Sequence, residues 1–479
     1  MLYCPQQFTQ MNSIQFYGAA QTVTGSKHLI TTTHGKQILL DCGLFQGRVD
    51  NKEALNRDFG FAPHDIDYVI LSHAHIDHTG LLPRLVKKGF RGIIFATPAT
   101  ISLCELMLMD SAHIQKEDLR FINKKRFKKG EQPIEALYDV EDVEQALDLM
   151  VPVEYEESLK IDTHITLTFT DAGHLLGSAA VHLDLNNGKG KKTKLTFTGD
   201  IGRFNDQILR PPQPFRQCDV LICESTYGNR KHPITPDIEK ELLEVITTTC
   251  VHQKGKLIIP AFSVDRTQDL IFMLDKFANK GMLPPVKVFV DSPLSVKATA
   301  VIRKHEECYN DDFLTYLHKD PDPFGFNDLT YVSEVTQSKA INDIKEPCII
   351  ISASGMAEAG RIKHHIANNI GNPKNTILMV GYCTPESLGG KLKAGEKQVR
   401  IFGEPYEVKA RVVNMDYFSA HADYTEILQY LKHQKAAKVS HVFLVHGETT
   451  AQQALQATLA KVGFNHIHIP KQGELVEFE

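Results

Sequence analysis

At 479 residues the chain is too long for one ordinary hydrophobic core, so two or three domains are expected. Its 42% hydrophobic and 23% charged residues suit a globular protein; there is no apolar run long enough to span a membrane, and "MLYCPQQFTQ" lacks a basic-then-apolar leader. A net charge of −5 excludes coating nucleic acid through overall basicity, yet leaves room for an enzyme with a locally basic cleft.

Residues 1–10, ahead of a second methionine at Met11, read as a disordered tail or a misassigned start. Nine cysteines are scattered without a C-x-x-C pair, and Cys42, Cys223 and Cys348 border apolar runs. Reduced, buried thiols in a cytoplasmic protein are expected.

Along the first half, short β-rich runs each end in an ionisable residue. "QILLDCG" ends in Asp41, and "DYVILSHAH" leads into "LSHAHIDHTG", which sets His73, His75, Asp77 and His78 within six positions. The 15 residues of "KEDLRFINKKRFKKG" (116–130) hold seven Lys or Arg; they read as a solvated helix face or a basic contact. "ITLTFTDAGH" ends in His174, "KLTFTGD" in Asp200 and "DVLICES" in Glu224, with "NNGKGKK" as a hairpin turn between two alternating runs. Reactive side chains at strand ends predict a layered α/β architecture with its site along one sheet edge.

From about residue 230 apolar strands alternate with helices: "GKLIIPAF", "VKVFVDSP", "PCIIISASGM" and "NTILMVGYC". That pattern predicts βαβ units in a parallel sheet, inserted into the first domain because "HVFLVHG" returns to the strand-end pattern at His446. The expected division is 1–228, 229–405 and 406–479. His64, His113 and the pair His364–His365 read as ordinary histidines without identifiable partners.

On an extended loop residues i and i+2 point the same way, so His73 and His75 can grip one cation. Asp77 and His78 face differently and can serve a second, about 3.5–4 Å away, which needs a bridging carboxylate. Asp200 is the candidate. Histidine and carboxylate without thiolate suit Zn²⁺, with Mn²⁺ or Fe as substitutes.

These motifs resemble the metallo-β-lactamase fold, and the later ones narrow the resemblance to the β-CASP branch of ribonucleases, relatives of the pre-mRNA 3′-end cleavage endonuclease. It is carried by "GAAQTVTGS", "DCGLFQG", "SHAHIDHTG", "DAGHLLGSA", "FTGDIGR", "CESTYGNR", "IPAFSVDRTQ", "VFVDSPL", "SASGMAEAGR", "FSAHADY" and "LVHGE", from residue 18 to 448. The resemblance implies an αββα sandwich with an inserted α/β parallel-sheet cap, leaving the site in a cleft. It implies two zinc ions, one held by His73, His75 and His174, the other by Asp77, His78 and His446, with Asp200 bridging. Asp41 would orient a ligand histidine, and Glu224 and His421 would stand beside the metals.

The implied reaction is hydrolysis of single-stranded RNA by a hydroxide held between the ions, leaving a 5′-phosphate and a 3′-hydroxyl. His421 is the candidate acid for the leaving oxygen, aimed by Glu224. Ser352, Ser354 and Gly355, where a strand is expected to enter a helix, are candidate phosphate contacts, joined by Arg266 and Lys391. A homodimer is compatible with this reading. Three features depart from the branch: Asp265 in place of a common glycine, "YCTPESLGGKL" without the usual Gln and Gly-Thr, and Tyr417 in place of a glycine. The competing readings are a thioester or lactone hydrolase of the same superfamily, a DNA-directed nuclease, and a non-catalytic scaffold; the last is disfavoured by the complete ligand set.

Overall fold

Strand β1 (Asn12–Phe16) buries every second residue, as its alternating sequence "NSIQF" dictates. The computed structural model describes residues 11–479 except 48, 189, 191, 233–236, 382, 416 and 418. The expectation for residues 1–10 and the tip of the turn in "NNGKGKK" lie outside the described residues. The chain divides into one unit of residues to Lys231 plus Ala420–Glu479, and a second of His232–Ser419.

In the first unit β1 continues through β2 (His28–Thr31), β3 (Gln37–Leu40), β4 (Tyr68–Ile70), β5 (Ile93–Ala96) and β6 (Met150–Pro152). A second sheet holds β7 (Leu159–Asp162), β8 (Ile165–Asp171), β9 (Ala179–Asn186), β10 (Lys192–Phe197) and β11 (Val220–Glu224). The second unit contributes β12 (Leu257–Pro260), β13 (Lys287–Val290), β14 (Leu329–Tyr331), β15 (Cys348–Ser352), β16 (Thr376–Met379), the hairpin β17 (Gln398–Ile401) and β18 (Glu404–Glu407), and β19 (Arg411–Asn414). The chain then returns to the first unit with β20 (His441–Val445), β21 (Ile467–His468) and β22 (Leu475–Phe478). The sheet orders are β22-β1-β2-β3-β4-β5-β6, β21-β20-β11-β10-β9-β8-β7 and β14-β13-β15-β12-β16-β19.

The two sheets of the first unit share one core. Ile14, Ile38, Leu40 and Ile70 of the first interleave with Leu167, Val181, Phe197 and Phe443 of the second. The second sheet's other face, with Leu221 and Leu444, is covered by helices Tyr424–Leu431 and Thr449–Lys461. Helices Leu82–Lys87, Pro98–Lys128 and Val140–Asp148 pack together, the long one also against β6. This is the expected αββα sandwich.

The second unit's sheet is parallel throughout, and its strands are buried runs, as "LIIP", "CIIIS" and "TILM" require. It extends past the expected boundary at 405, because β19 pairs in register with β16 (Thr376 opposite Arg411).

What matters for the site is direction. β3 and β4 are parallel, and so are β10, β11 and β20. Their carboxyl ends deliver Asp41, the His73–His78 loop, Asp200, Glu224 and His446 to one edge.

Candidate metal centre

The loop after β4 holds His73 and His75, then turns into the short helix Ile76–Thr79 that carries Asp77 and His78. Backbone bonds stitch it to the segments after β3 and before β2: Cys42 N donates to His78 O (2.7 Å), Leu44 N to Ile76 O (3.0 Å) and Ser26 N to Asp77 O (2.8 Å). Only glycine fits at residue 43, since a Cβ there would lie 1.6 Å from Asp77 O. The buried Lys27 ammonium ties the same loops, donating to Gly25 O (3.1 Å) and Gly43 O (2.8 Å) over the Phe45 ring.

Two donor sets converge. His73, His75, His174 and Asp200 bring ligand atoms within 4.8 Å of one another, and so do Asp77, His78 and His446. His73 Nε2 and His174 Nε2 lie 3.0 and 3.3 Å from His75 Nδ1. Asp200 stands between the sets: Oδ2 is 3.6 Å from His73 Nε2, 3.5 Å from His174 Nε2 and 3.4 Å from His78 Nε2, and Oδ1 is 3.4 Å from His446 Nδ1. His446 Nε2 reaches Asp77 Oδ2 at 3.4 Å.

The electrostatics are those of a cation site. Burial pushes the His73 and His174 pKa values well below normal and that of His75 to about 4, so these imidazoles are neutral lone-pair donors. Burial alone would raise Asp77 and Asp200, but surrounding histidines hold Asp77 at about 2 and Asp200 well below the usual range. At His78 burial acts downward, yet Asp200, Asp41 and Asp77 outweigh it and raise its pKa well above normal. Three carboxylates thus call for positive charge at this point. His78 Nε2 and Asp200 Oδ1 are also buried without a hydrogen-bond partner, a costly arrangement that a cation resolves. The donor set fits divalent ions.

Asp41 sits behind the ligands, fully buried. It accepts from Ser72 N (2.8 Å), Ser72 Oγ (2.9 Å) and Ser26 Oγ (3.2 Å), and lies 2.7 Å from His78 Nδ1, which aims Nε2 into the site. Asp41 and His446 both have left-handed backbone (φ 57° and 49°). Beside the ligands, His421 Nδ1 is 3.3 Å from Glu224 Oε2 and 3.9 Å from Asp200 Oδ2. Glu224 is in turn fixed by the backbone N–H groups of Ile201 and Thr226. Burial would lower the His421 pKa, but Glu224 and then the two aspartates raise it to about 9, so its imidazolium is the form at neutral pH.

Sequence reasoning passed over the hydroxyls that hold the histidines. Ser72 Oγ is 3.0 Å from His73 Nδ1, Thr226 Oγ1 is 3.0 Å from His446 Nδ1, and His174 N donates to Ser178 Oγ at 2.9 Å. The signal was adjacency to ligands in "LSH", "CEST" and "HLLGS".

The phosphate candidates all lie in the second unit, and the structure does not form them into one group. Ser352 Oγ is buried, donating to Asp291 O at 2.7 Å, and Arg266 is nearly buried in ion pairs with Asp269 (2.6 Å) and Asp265 (3.3 Å). After β15 the chain turns before its helix starts at Ile362, so Ser354 and Gly355 are not at a helix N-terminus. Ser354 N and Oγ both meet Ala359 O, while Lys391 lies in helix Leu388–Lys393 and is half-buried.

Comparison with known proteins agrees with this geometry. Residues 29–209 match the Metallo-beta-lactamase superfamily domain, 267–392 the Beta-Casp domain, and 405–470 the Zn-dependent metallo-hydrolase RNA specificity domain. Ribonuclease TTHA0252 of Thermus thermophilus is 34% identical, covering 96% of this chain and 98% of its own. An RNase J-like protein of Methanocaldococcus jannaschii is 29% identical (97% and 99%), and transcription termination factor FttA of Methanosarcina mazei 30% (93% and 68%). A crystal structure of a protein of unknown function from Enterococcus faecalis V583 shares the fold at TM-score 0.53 and 12% identity, over 98% of this chain and 100% of its own. The chain belongs to the β-CASP family of metallo-β-lactamase-fold ribonucleases.

Proposed function

We propose that this chain is a metal-dependent hydrolase of RNA phosphodiester bonds whose reaction runs at the edge built by β3, β4, β10, β11 and β20. The observation that carries the reading is the pair of donor sets meeting at Asp200 with the His421–Glu224 pair alongside. Two zinc ions, or Mn²⁺ in their place, would be held by His73, His75 and His174 and by Asp77, His78 and His446, with Asp200 common to both. When bound, such ions supply an acidified water and neutralise charge on the phosphate.

The chain's own groups do the rest. Asp41 keeps His78 in one tautomer and one orientation. Glu224 takes the Nδ1 side of His421, which leaves its other nitrogen to serve as the donor. His421 gives a proton to the departing ribose 3′-oxygen, leaving a 3′-hydroxyl and a 5′-phosphate. No helix of the described residues is long and apolar enough to cross a membrane. Cys42, Cys104, Cys218, Cys223, Cys250 and Cys348 are buried free thiols, which supports a reducing, cytoplasmic setting. A small-molecule hydrolase or a DNA nuclease is not favoured by the ribonuclease relatives or by the RNA specificity domain.

The test is cleavage of 5′-labelled single-stranded RNA and its DNA counterpart with Zn²⁺ or Mn²⁺, against a His75→Ala, Asp77→Ala control. RNA cut by the wild type and spared by the control is expected, and fragment lengths separate internal cuts from release at the 5′ end. Intact RNA from metal-loaded wild type would overturn the substrate assignment.

A further inference from the structure

The long helix Pro98–Lys128 raises a question that the metal centre does not answer. At 31 residues it runs about 46 Å. Its first turn is fixed to the loop that follows His174: Thr97 Oγ1 and Thr100 Oγ1 both donate to Gly177 O (2.6 and 2.9 Å). Its second half carries the basic run. Within 116–130 seven Lys or Arg stand against Glu117 and Asp118, a net +5 in a chain of net −5, which leaves −10 for all other residues.

Only a narrow stripe of that half is covered. Gln115, Leu119, Asn123 and Arg126 are half-buried, and the returning segment binds there: Asn123 Nδ2 donates to Ile134 O (2.9 Å) and Arg126 Nε to Gln132 O (2.7 Å). At 100° per residue Phe121 falls opposite that stripe, flanked by Lys124, Lys125 and Lys128, with Phe127 on the shoulder. Phe127 is 85% exposed and Phe121 62%, the latter with the Lys125 ammonium 4.3 Å from its ring centre. Lys124, Lys128 and Lys129 are exposed and make no ion pair among the described residues.

Ile114 (53% exposed) lies one heptad before Phe121 on the same face and Ile122 (41%) is exposed beside it, but Lys124, Lys125 and Lys128 follow, so the face does not continue as the apolar stripe of a protein-docking or membrane helix. Phenyl rings among ammonium groups match single-stranded nucleic acid, where cations follow the phosphates and bases stack on aromatic faces. Resting on the ribonuclease reading, we propose that residues 116–130 are a second contact for single-stranded RNA, away from the metal centre. Lys124, Lys125, Lys128 and Lys129 take the backbone, and Phe121 and Phe127 take bases. The arm makes affinity depend on RNA length without touching the reacting phosphate.

The experiment compares metal-loaded wild type with two variants, Lys124→Ala/Lys125→Ala/Lys128→Ala/Lys129→Ala and Phe121→Ala/Phe127→Ala, all exposed positions. Stopped-flow anisotropy reads RNA binding before cleavage. On an RNA of about 30 nucleotides the lysine variant is expected to flatten log affinity against log salt by about 3, at about 0.7 for each phosphate no longer neutralised. Removing both phenyl rings should weaken binding by about 5- to 150-fold for each ring lost. Cleavage of an RNA of about 5 nucleotides, too short to reach the arm, should keep its kcat/KM in both variants.

Unchanged long-RNA affinity and salt slope in both variants would overturn the proposal. So would a dimeric wild type that Phe121→Ala/Phe127→Ala makes monomeric with RNA binding intact, since the face would then serve a second copy of this chain. Failure of the wild type to cut either RNA would count against the ribonuclease reading instead, while the binding slopes still decide on the helix.

Discussion

A histidine that holds a cation must present one nitrogen and have the other engaged, and Asp41 does this for His78. Asp41→Asn preserves size and tolerates the left-handed backbone at φ 57°, but puts an amide NH₂ where three donors already point. Metal affinity is expected to fall about 10- to 100-fold, read by competition with a calibrated chelator; equal affinity would show that His78 is not a ligand. His421 gives the opposite pattern. It belongs to a third, overlapping set with Asp200, Glu224 and His446, but its Nδ1 faces Glu224 at 3.3 Å and lies 3.9 Å from Asp200. His421→Ala should therefore keep metal content near normal while slowing single-turnover cleavage by about 10²- to 10⁴-fold, the span of a lost general acid. Loss of metal in that variant would make it a ligand.

At the scale of elements, the site depends on how closely two loops approach. Gly43 lets the β3 loop lie on the Asp77 carbonyl, so Gly43→Ala must push the His75–His78 segment aside. A cost of about 1–3 kcal/mol is expected, as for an overpacked core, with weakened metal binding as its companion. Gly371, which has nothing within 4 Å of an added Cβ, supplies the control, and Gly371→Ala should melt within a degree or two of wild type. If both variants melt alike, the loop contact is softer than its geometry. Gly43 is silent in the sequence, because its role depends on a residue 34 positions away. The strand-end residues were legible for the opposite reason: a buried run followed at once by His, Asp or Glu announces itself locally. Ser72 and Thr226 were not, since a hydroxyl's use is fixed only by its three-dimensional partners. Nor was the commitment of Arg266 to Asp265 and Asp269, because an arginine in a helix-like segment reads equally as free charge. The end of the second unit was missed because "RVVN" is too short to reveal which sheet it joins.

For the whole molecule, every residue that the metal centre uses lies in the unit of residues to Lys231 and Ala420–Glu479, and none in His232–Ser419. Cations that bind only the folded form stabilise it by mass action, about 2.7 kcal/mol at a free concentration 100 times Kd. That free energy belongs to the unit that holds the donors. Chelation should therefore lower hydrogen-exchange protection at Ser72, His78 and Ile201, whose amides are hydrogen-bonded at the site edge, by up to about 100-fold. Ile258 and Ile350, in the buried parallel strands β12 and β15, should keep theirs. Equal losses in both units would mean that they unfold as one cooperative body, and the metal centre would then stabilise the inserted sheet as well. No loss in either would place the cations outside the donor sets described, because a resident ion cannot leave His73, His78 and Asp200 without exposing the charge they bury. The asymmetry between units, rather than the size of either change, carries the test: it links which strand ends meet at Asp200 to which half of the molecule the cation holds together.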